Sequence, residues 1–354
     1  MTWLATGDLH FTDKKIDEYR FKLFDVLIDL CHKYDVTNLF ILGDITDAKD
    51  RHSSILVNRI VEGFNKLDTE CPDTFIHLLK GNHDYIDPDY PFFGFLDQLD
   101  NVKYISKTTQ YYVEDHNENP MRCGFIPAGS SIEDTGLVLS KLDFCFLHNC
   151  FNGAISETGF TLEGAQAAPF KEVKYATISG DIHFPQEVGP IIYAGSPYMT
   201  RFGPDYEPRV LLIDEDNEVQ SIPLTMFPRK VYYDVSVSDD TTLAESLEEP
   251  VELESNDHVK IRLHIDAANA HKWAEYKSVI YAECEKRGYN IQGFETCLYG
   301  DKDNKKPKKS KVTVLDPVDL VTEYWKEENV DSLTMEIGML LLGREGELDD
   351  GREI

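Results

Sequence analysis

Five apolar runs in the first half of the chain each stop at a polar cluster, and helical periodicity separates the first three. Trp3-Leu4-Ala5-Thr6 runs into Gly7-Asp8-Leu9-His10. Phe21, Phe24, Leu27, Ile28 and Cys31 recur at three- and four-residue steps and predict a helix from about Asp17 to Tyr34. Asn38 to Leu42 reads as a buried strand ending in Gly43-Asp44. Ile55, Leu56, Ile60, Val61 and Phe64 predict a second helix, His52 to Lys66. Thr74 to Leu79 is a third strand, leading into Gly81-Asn82-His83-Asp84, where the glycine is expected to permit a sharp turn. This β-α-β-α-β order predicts a parallel sheet covered by helices.

The middle of the chain is less regular. Strands at Lys103–Ile105, Gln110–Val113 and Arg122–Ile126, with a polar turn at 115–120, predict a meander. Asp143 to Leu147 then runs into His148-Asn149, and Tyr175 to Ile178 into Ser179-Gly180-Asp181-Ile182-His183. Val210 to Ile213 is a further strand before an acidic turn. Pro223 and Pro228 interrupt the pattern, which sets a first domain at 1–228. An alternating strand (Val231, Tyr233, Val235) opens a small α+β module at 229–300, with a helix from His271 to Arg287. Six lysines within 301–311 mark a linker at 301–314. The tail at 315–354 is expected to hold two short helices, Pro317–Glu327 and Val330–Leu342, with an apolar surface that includes Val321, Trp325 and Met339.

Charge changes this picture. The chain of 354 residues carries a formal net charge of −29. Such a chain repels polyanions on average. A nucleic-acid partner would therefore require a local basic patch, bound cations or a cationic partner protein. Apolar residues make up 42 % and charged residues 28 %, a globular balance. No apolar run reaches the eighteen residues of a membrane span, and the start has no basic, signal-like region. The seven cysteines are scattered without CxxC pairs, which predicts reduced thiols in a cytoplasmic protein and no cysteine metal site.

Asp8, His10, Asp44, Asn82, His148, Asp181 and His183 all stand just after strand-like runs. In open α/β folds, sites lie outside the carboxyl ends of the strands, so these clusters are expected to converge. Asp8-x-His10 and Asp181-x-His183 would each point two side chains the same way if extended geometry continued. Mixed carboxylate, amide and imidazole donors suit Mn²⁺, Fe²⁺ or Zn²⁺. Seven ligands are too many for one ion and suit two, about 3.5–4 Å apart, sharing a carboxylate. Asp44, after the second strand, is the expected bridge.

Asp8-x-His10, Gly43-Asp44, Gly81-Asn82-His83-Asp84, His148 and Gly180-x-x-His183 together resemble the calcineurin-like metallophosphoesterase signature, over roughly residues 1–215. Within that superfamily the chain resembles the SbcD-type nuclease subunits of DNA recombination and repair, bacteriophage recombination endonuclease subunits among them. Tyr193-Ala194-Gly195-Ser196-Pro197 looks like their Gly-Ser/Thr-Pro element. The resemblance implies a β-sandwich flanked by helices, a capping domain that binds DNA, and a helical tail that docks an SMC-like coiled-coil ATPase. It also implies a homodimer.

It further implies two divalent ions, Mn²⁺ first and Mg²⁺ as the alternative. Asp8, His10, Asp44 and His183 would hold one, and Asp44, Asn82, His148 and Asp181 the other. His83 would assist the leaving oxygen, and Asp84 would orient His83. One position departs from the family. Asp181 stands where the pattern has histidine, as Gly180-Asp181-Ile182-His183 instead of Gly-His-x-His. The activity implied is metal-dependent hydrolysis of DNA phosphodiesters. The alternatives are a phosphatase or phosphodiesterase for small substrates, or a weakly active scaffold subunit.

Overall fold

The computed structural model describes residues 2–299, apart from 115–118, 133–135, 204, 239, 249–252, 254–255 and 267–268. Within these residues it contains two compact units. The first comprises Met1–Val231 with Asn256–His258. The second takes Tyr232–Ser255 and, among the described residues, the chain from Val259 to Tyr299.

The first unit begins β1 (Thr2–Thr6), α1 (Leu23–Tyr34), β2 (Val36–Ile41), α2 (Ser54–Glu70), β3 (Phe75–Leu79) and β4 (Val102–Ile105). It continues with β5 (Thr109–Glu114), β6 (Pro120–Ile126), β7 (Phe144–His148), β8 (Ala176–Gly180), β9 (Gln186–Val188) and β10 (Ile191–Tyr193). A hairpin, β11 (Arg209–Ile213) and β12 (Val219–Pro223), completes it. Two six-stranded mixed sheets result, ordered β12-β11-β1-β2-β3-β4 and β5-β6-β7-β8-β10-β9. The run β1-β2-β3 is parallel, as the alternation with helices predicts, and β4 extends it in the same sense.

Inward faces of the two sheets share one core. Trp3, Ala5 and Phe40 from the first pack with Phe125, Phe144 and Phe146 from the second. The Phe40 and Phe146 rings stack at 3.8 Å. The alternate residues Leu4, Leu39 and Ile41 point the other way, into a second core with Leu27 and Ile28 of α1 and Phe64 and Leu67 of α2. Strands buried on both faces are apolar throughout, which is why these runs show no alternation in the sequence.

Three expectations need correction. The strands at 102–126 are not one meander. β4 joins the first sheet beside β3, whereas β5 and β6 form a hairpin at the edge of the second. The first helix is an α-helix only from Leu23; Lys15–Lys22 is a 3₁₀ segment. There Asp17 accepts a hydrogen bond from the Thr12 hydroxyl and Arg20 donates to the His10 carbonyl, so the turns serve the adjacent loop. The second helix starts two residues later than expected, capped by Ser53, whose hydroxyl accepts the Leu56 N–H at 3.2 Å.

The second unit is a small α+β module with β13 (Lys230–Val237) from Tyr232 on, α3 (Asp240–Glu248), β14 (His258–Asp266) from Val259 on, α4 (Trp273–Lys286) and β15 (Asn290–Tyr299). Its three strands form one sheet, β13-β14-β15. Its core joins Val235, Ile261 and Leu263 to Tyr276 and Ile280 of α4. The linker at 301–314 and the tail at 315–354 lie outside the described residues. Among the described residues no helix is long and apolar enough to cross a membrane.

Candidate metal centre

The loops that follow β1, β2, β3, β7 and β8 meet at one end of the sandwich. Those after β1 and β2 run side by side: the Asp8 N–H donates to the Gly43 carbonyl and the His10 N–H to the Asp44 carbonyl, at 3.0 and 2.9 Å. The third loop approaches so closely that a Cβ on Gly81 would lie 2.1 Å from the Asp44 nitrogen. Gly81 is therefore demanded by close approach to Asp44, rather than by the turn expected of it. The left-handed glycine is Gly43, at φ +92°.

Six non-glycine residues among those described have positive φ, and Asp8, His10, Asp44 and Asp181 are four of them. Extended geometry thus does not continue through Asp8-x-His10 or Asp181-x-His183. The left-handed residues instead turn the chain so that side chains from separate loops face one another. Backbone strain of this kind costs about 1–3 kcal/mol per residue and concentrates at functional sites.

Asp8, His10 and His183 bring one donor atom each within 4.8 Å of one another, and so do Asp8, Asp44 and His148. His148 Nε2 lies 3.5 Å from Asp44 Oδ1 and 3.6 Å from Asp181 Oδ1. Asn82 Nδ2 donates to Asp181 Oδ1 at 3.0 Å. All seven ligands expected from the sequence are thereby linked into one cluster.

Asp8 Oδ2, both ring nitrogens of His10, Asn82 Oδ1 and His148 Nε2 are buried without a hydrogen-bond partner among the described residues. Buried polar atoms are rarely left so. A neutral His10 ring offers a lone pair at one of its two nitrogens, so the set supplies four metal-donor atoms, which fit divalent cations. Tautomers agree. His148 Nδ1 faces the Leu42 carbonyl at 2.5 Å, which can only accept, so Nδ1 keeps its proton and Nε2 is the nitrogen that can release one to take a metal.

The protonation chemistry of the cluster follows from crowding. Burial pushes the Asp8 carboxyl up to about 7. Burial opposes charge on His148, yet Asp44, Asp181 and Asp8 push it up to about 9. Burial and the neighbouring His183 and His83 hold His10 well below the usual histidine range. Protons among these acidic groups stand in for the positive charge a cation would bring.

His83 sits at the edge of the cluster, its ring 4.9 Å from that of His10. Its Nδ1 is 2.6 Å from the Asp47 carbonyl, which makes Nδ1 the protonated nitrogen and leaves Nε2 free. Asp84 does something other than orient this ring. Its carboxylate accepts the N–H groups of Gly81, Ile45 and Asp44 at 2.7, 2.9 and 3.1 Å. It therefore ties the β3 loop to the β2 loop and reaches His83 only through the backbone. Burial raises its pKa to about 6, with Asp44 adding to the shift.

Two further residues serve the cluster without a sequence signal. His183 Nδ1 lies 3.1 Å from Glu157 Oε2 and 2.9 Å from the Thr200 hydroxyl. A carboxylate on the far nitrogen fixes the tautomer that offers Nε2 to a metal. Glu157 comes from the long β7–β8 connection, where no strand-end pattern marks it. Asp47 Oδ1, 3.7 Å from His10 Nδ1, groups with His10 and His83 as another candidate set. It follows the Gly43-Asp44 pair by three residues, a spacing that alone signals nothing.

No curated protein matches the chain. Residues 1–162 match the family model of the calcineurin-like phosphoesterases. That match takes in Asp8, His10, Asp44, Asn82, His83, Asp84 and His148 and stops before Asp181 and His183. A calcineurin-like metallophosphoesterase domain thus spans residues 1–162, and the clustered Asp and His donors, most of them within it, form a candidate metal-binding site.

Proposed function

We propose that the chain is a DNA phosphodiesterase that works with two divalent ions, Mn²⁺ before Mg²⁺, as the nuclease subunit of a recombination or repair complex. The observation that carries the hydrolytic part is the set of buried donor atoms on Asp8, His10, Asn82 and His148 that have no hydrogen-bond partner among the described residues. DNA as substrate is supported by the likeness of Tyr193-Ala194-Gly195-Ser196-Pro197 to an element of SbcD-type subunits and by the α+β module that follows the phosphoesterase unit.

Asp8, His10, Asp44 and His183 would hold one ion, and Asp44, Asn82, His148 and Asp181 the other. Bound there, the ions supply Lewis-acid neutralisation of phosphate charge and a nucleophilic water at neutral pH. His83, its Nδ1–H held by the Asp47 carbonyl, presents Nε2 to the substrate, and in its doubly protonated form would donate a proton or hydrogen bond from Nε2 to the departing oxygen. Glu157 holds His183 in its ligating tautomer. Asp84 keeps the His83 and Asp44 loops in register. The tail at 315–354 would dock an SMC-like ATPase, and the subunit would pair with a second copy.

The test is cleavage of single- and double-stranded oligonucleotides beside bis-p-nitrophenyl phosphate, with Mn²⁺, Mg²⁺ or EDTA. Expected are Mn²⁺-dependent DNA cleavage, and a roughly 10²- to 10⁴-fold fall in kcat for His83→Ala with Mn²⁺ stoichiometry unchanged. Turnover of the small diester with no cut in any oligonucleotide would make the chain a small-substrate enzyme.

A further inference from the structure

Beside the metal cluster lies a cavity of about 260 Å³. His183 and Asp47 line it from the cluster, and Lys14, Arg20, Arg201 and Lys230 are among its other lining residues, with Asp17 and Thr200. Four cations around one small cavity are conspicuous in a chain of net charge −29. Two of them are buried: Arg20 is 3 % exposed and Lys230 9 %. They share one buried carboxylate, Asp17, at 2.9 Å from Arg20 and 3.5 Å from Lys230. Arg201 has its own partner in Glu157, at 3.1 Å. Even with Glu157 counted beside Asp17 and Asp47, the cations outnumber the carboxylates.

Much of this arrangement is structural. Arg20 donates to the His10 carbonyl and lies against the Tyr198 ring, and Lys230 donates to the Thr200 carbonyl at 2.9 Å. That does not account for the surplus. Burying two cations on one carboxylate is costly unless further negative charge arrives. Arg20 Nε is buried with no hydrogen-bond partner among the described residues. Burial, with Arg20 close by, also pushes the Lys230 ammonium down to about 8. An incoming anion would relieve each of these.

Position names the anion. Thr200 bonds His183 through its hydroxyl and Lys230 through its carbonyl, so the basic wall is one residue from a candidate metal ligand. A phosphate held at the cluster would have its neighbour along the same strand within reach of Lys14, Arg20 and Lys230. We propose that the cavity is a second phosphate subsite, which selects esters carrying a neighbouring phosphate over isolated monophosphates. The proposal rests on the phosphodiester reading above and gives it a physical source of selectivity. It would also supply the local basic patch that so acidic a chain needs to hold a polyanion.

Calorimetric binding to the Mn²⁺-loaded protein tests it, with thymidine 3′,5′-bisphosphate and thymidine 5′-monophosphate as probes. The bisphosphate should bind roughly tenfold more tightly, the effect of one added charge-assisted contact. Lys230→Gln should remove most of that advantage. Lys14→Gln, at an exposed side chain, should reduce it and decides the matter if the buried substitution prevents folding. Equal affinities in the parent protein, or an advantage that survives substitution in folded protein, would overturn the subsite. A chain that prefers the bisphosphate yet cuts no oligonucleotide would keep the subsite and lose the DNA reading.

Discussion

Asp8 and His148 face one another across a site where every buried charge is a problem for its neighbours. Acidification adds a proton to Asp8 near 7 and removes a negative ligand; His148, with its value near 9, is mostly protonated at neutral pH and must lose that proton to offer Nε2. Both protonations oppose a cation. Metal uptake therefore releases protons, and affinity should rise with pH. Between pH 6 and 8, Mn²⁺ affinity measured by calorimetry should increase by about tenfold per unit for each proton displaced. A flat profile would show that neither group is a ligand. Asp181 is the residue to watch in such titrations, since it brings a carboxylate, itself raised by burial, where the family pattern has an imidazole. Its N–H also donates to Asp8 Oδ1 at 2.9 Å, so it positions one ligand through its backbone while offering another through its side chain.

At the level of elements, the centre depends on how closely strand-end loops can approach. The glycines at these ends are spacers. A Cβ on Gly81 would meet Asp44 Oδ1 at 2.2 Å, and one on Gly180 would meet the Leu42 carbonyl at 2.4 Å. Gly81→Ala should cost about 1–3 kcal/mol, as overpacking usually does, and should weaken Mn²⁺ binding as Asp44 is displaced. Gly94→Ala is the control, because the nearest atom to its added Cβ is 3.8 Å away. Thermal denaturation with and without Mn²⁺ would compare the two; equal effects would mean that the close approach is not limiting. Elements were also where reading the sequence went furthest astray. Periodicity revealed β4, β5 and β6 but said nothing of their sheets, because pairing partners are chosen by the facing sheet and not by the strand itself. Likewise, Lys15–Lys22 has helical spacing but tightens to 3₁₀ as Asp17 and Arg20 reach toward the Thr12 and His10 loop.

For the whole molecule, charge sets the terms. At −29, the chain would depend on bound cations and on the basic cavity to hold the polyanion proposed as its substrate. EDTA should therefore abolish oligonucleotide binding in a filter or fluorescence-anisotropy assay as well as cleavage. Binding that persists undiminished without metal would mean that another surface carries the DNA. The second unit and the tail extend the question to partners. Deleting residues 315–354 should lose a co-expressed SMC-like ATPase while Mn²⁺-dependent cleavage is retained, if the apolar residues there form its docking helices. Retention of the ATPase by the shortened chain would contradict that role.

The order and kind of the chemistry were legible from the sequence alone. Apolar runs buried on both faces declared β1, β2, β3, β7 and β8, and chain connectivity then had to place a polar cluster just past each. Ligand types followed directly from residue identity, so Asp8, His10, Asp44, Asn82, His148, Asp181 and His183 could be named before any coordinates. What only the tertiary structure decided was how they face one another. The strand ends come from two sheets rather than one, and left-handed backbone at Asp8, His10, Asp44 and Asp181 aims the side chains. The same holds for Asp84, which binds backbone and not His83, for Glu157, which braces His183 from the β7–β8 connection, and for Lys230, which lines the neighbouring cavity from far along the chain. Local sequence carries propensity and residue chemistry; backbone torsion against a neighbouring loop, and a partner more than twenty residues away, are settled only by packing.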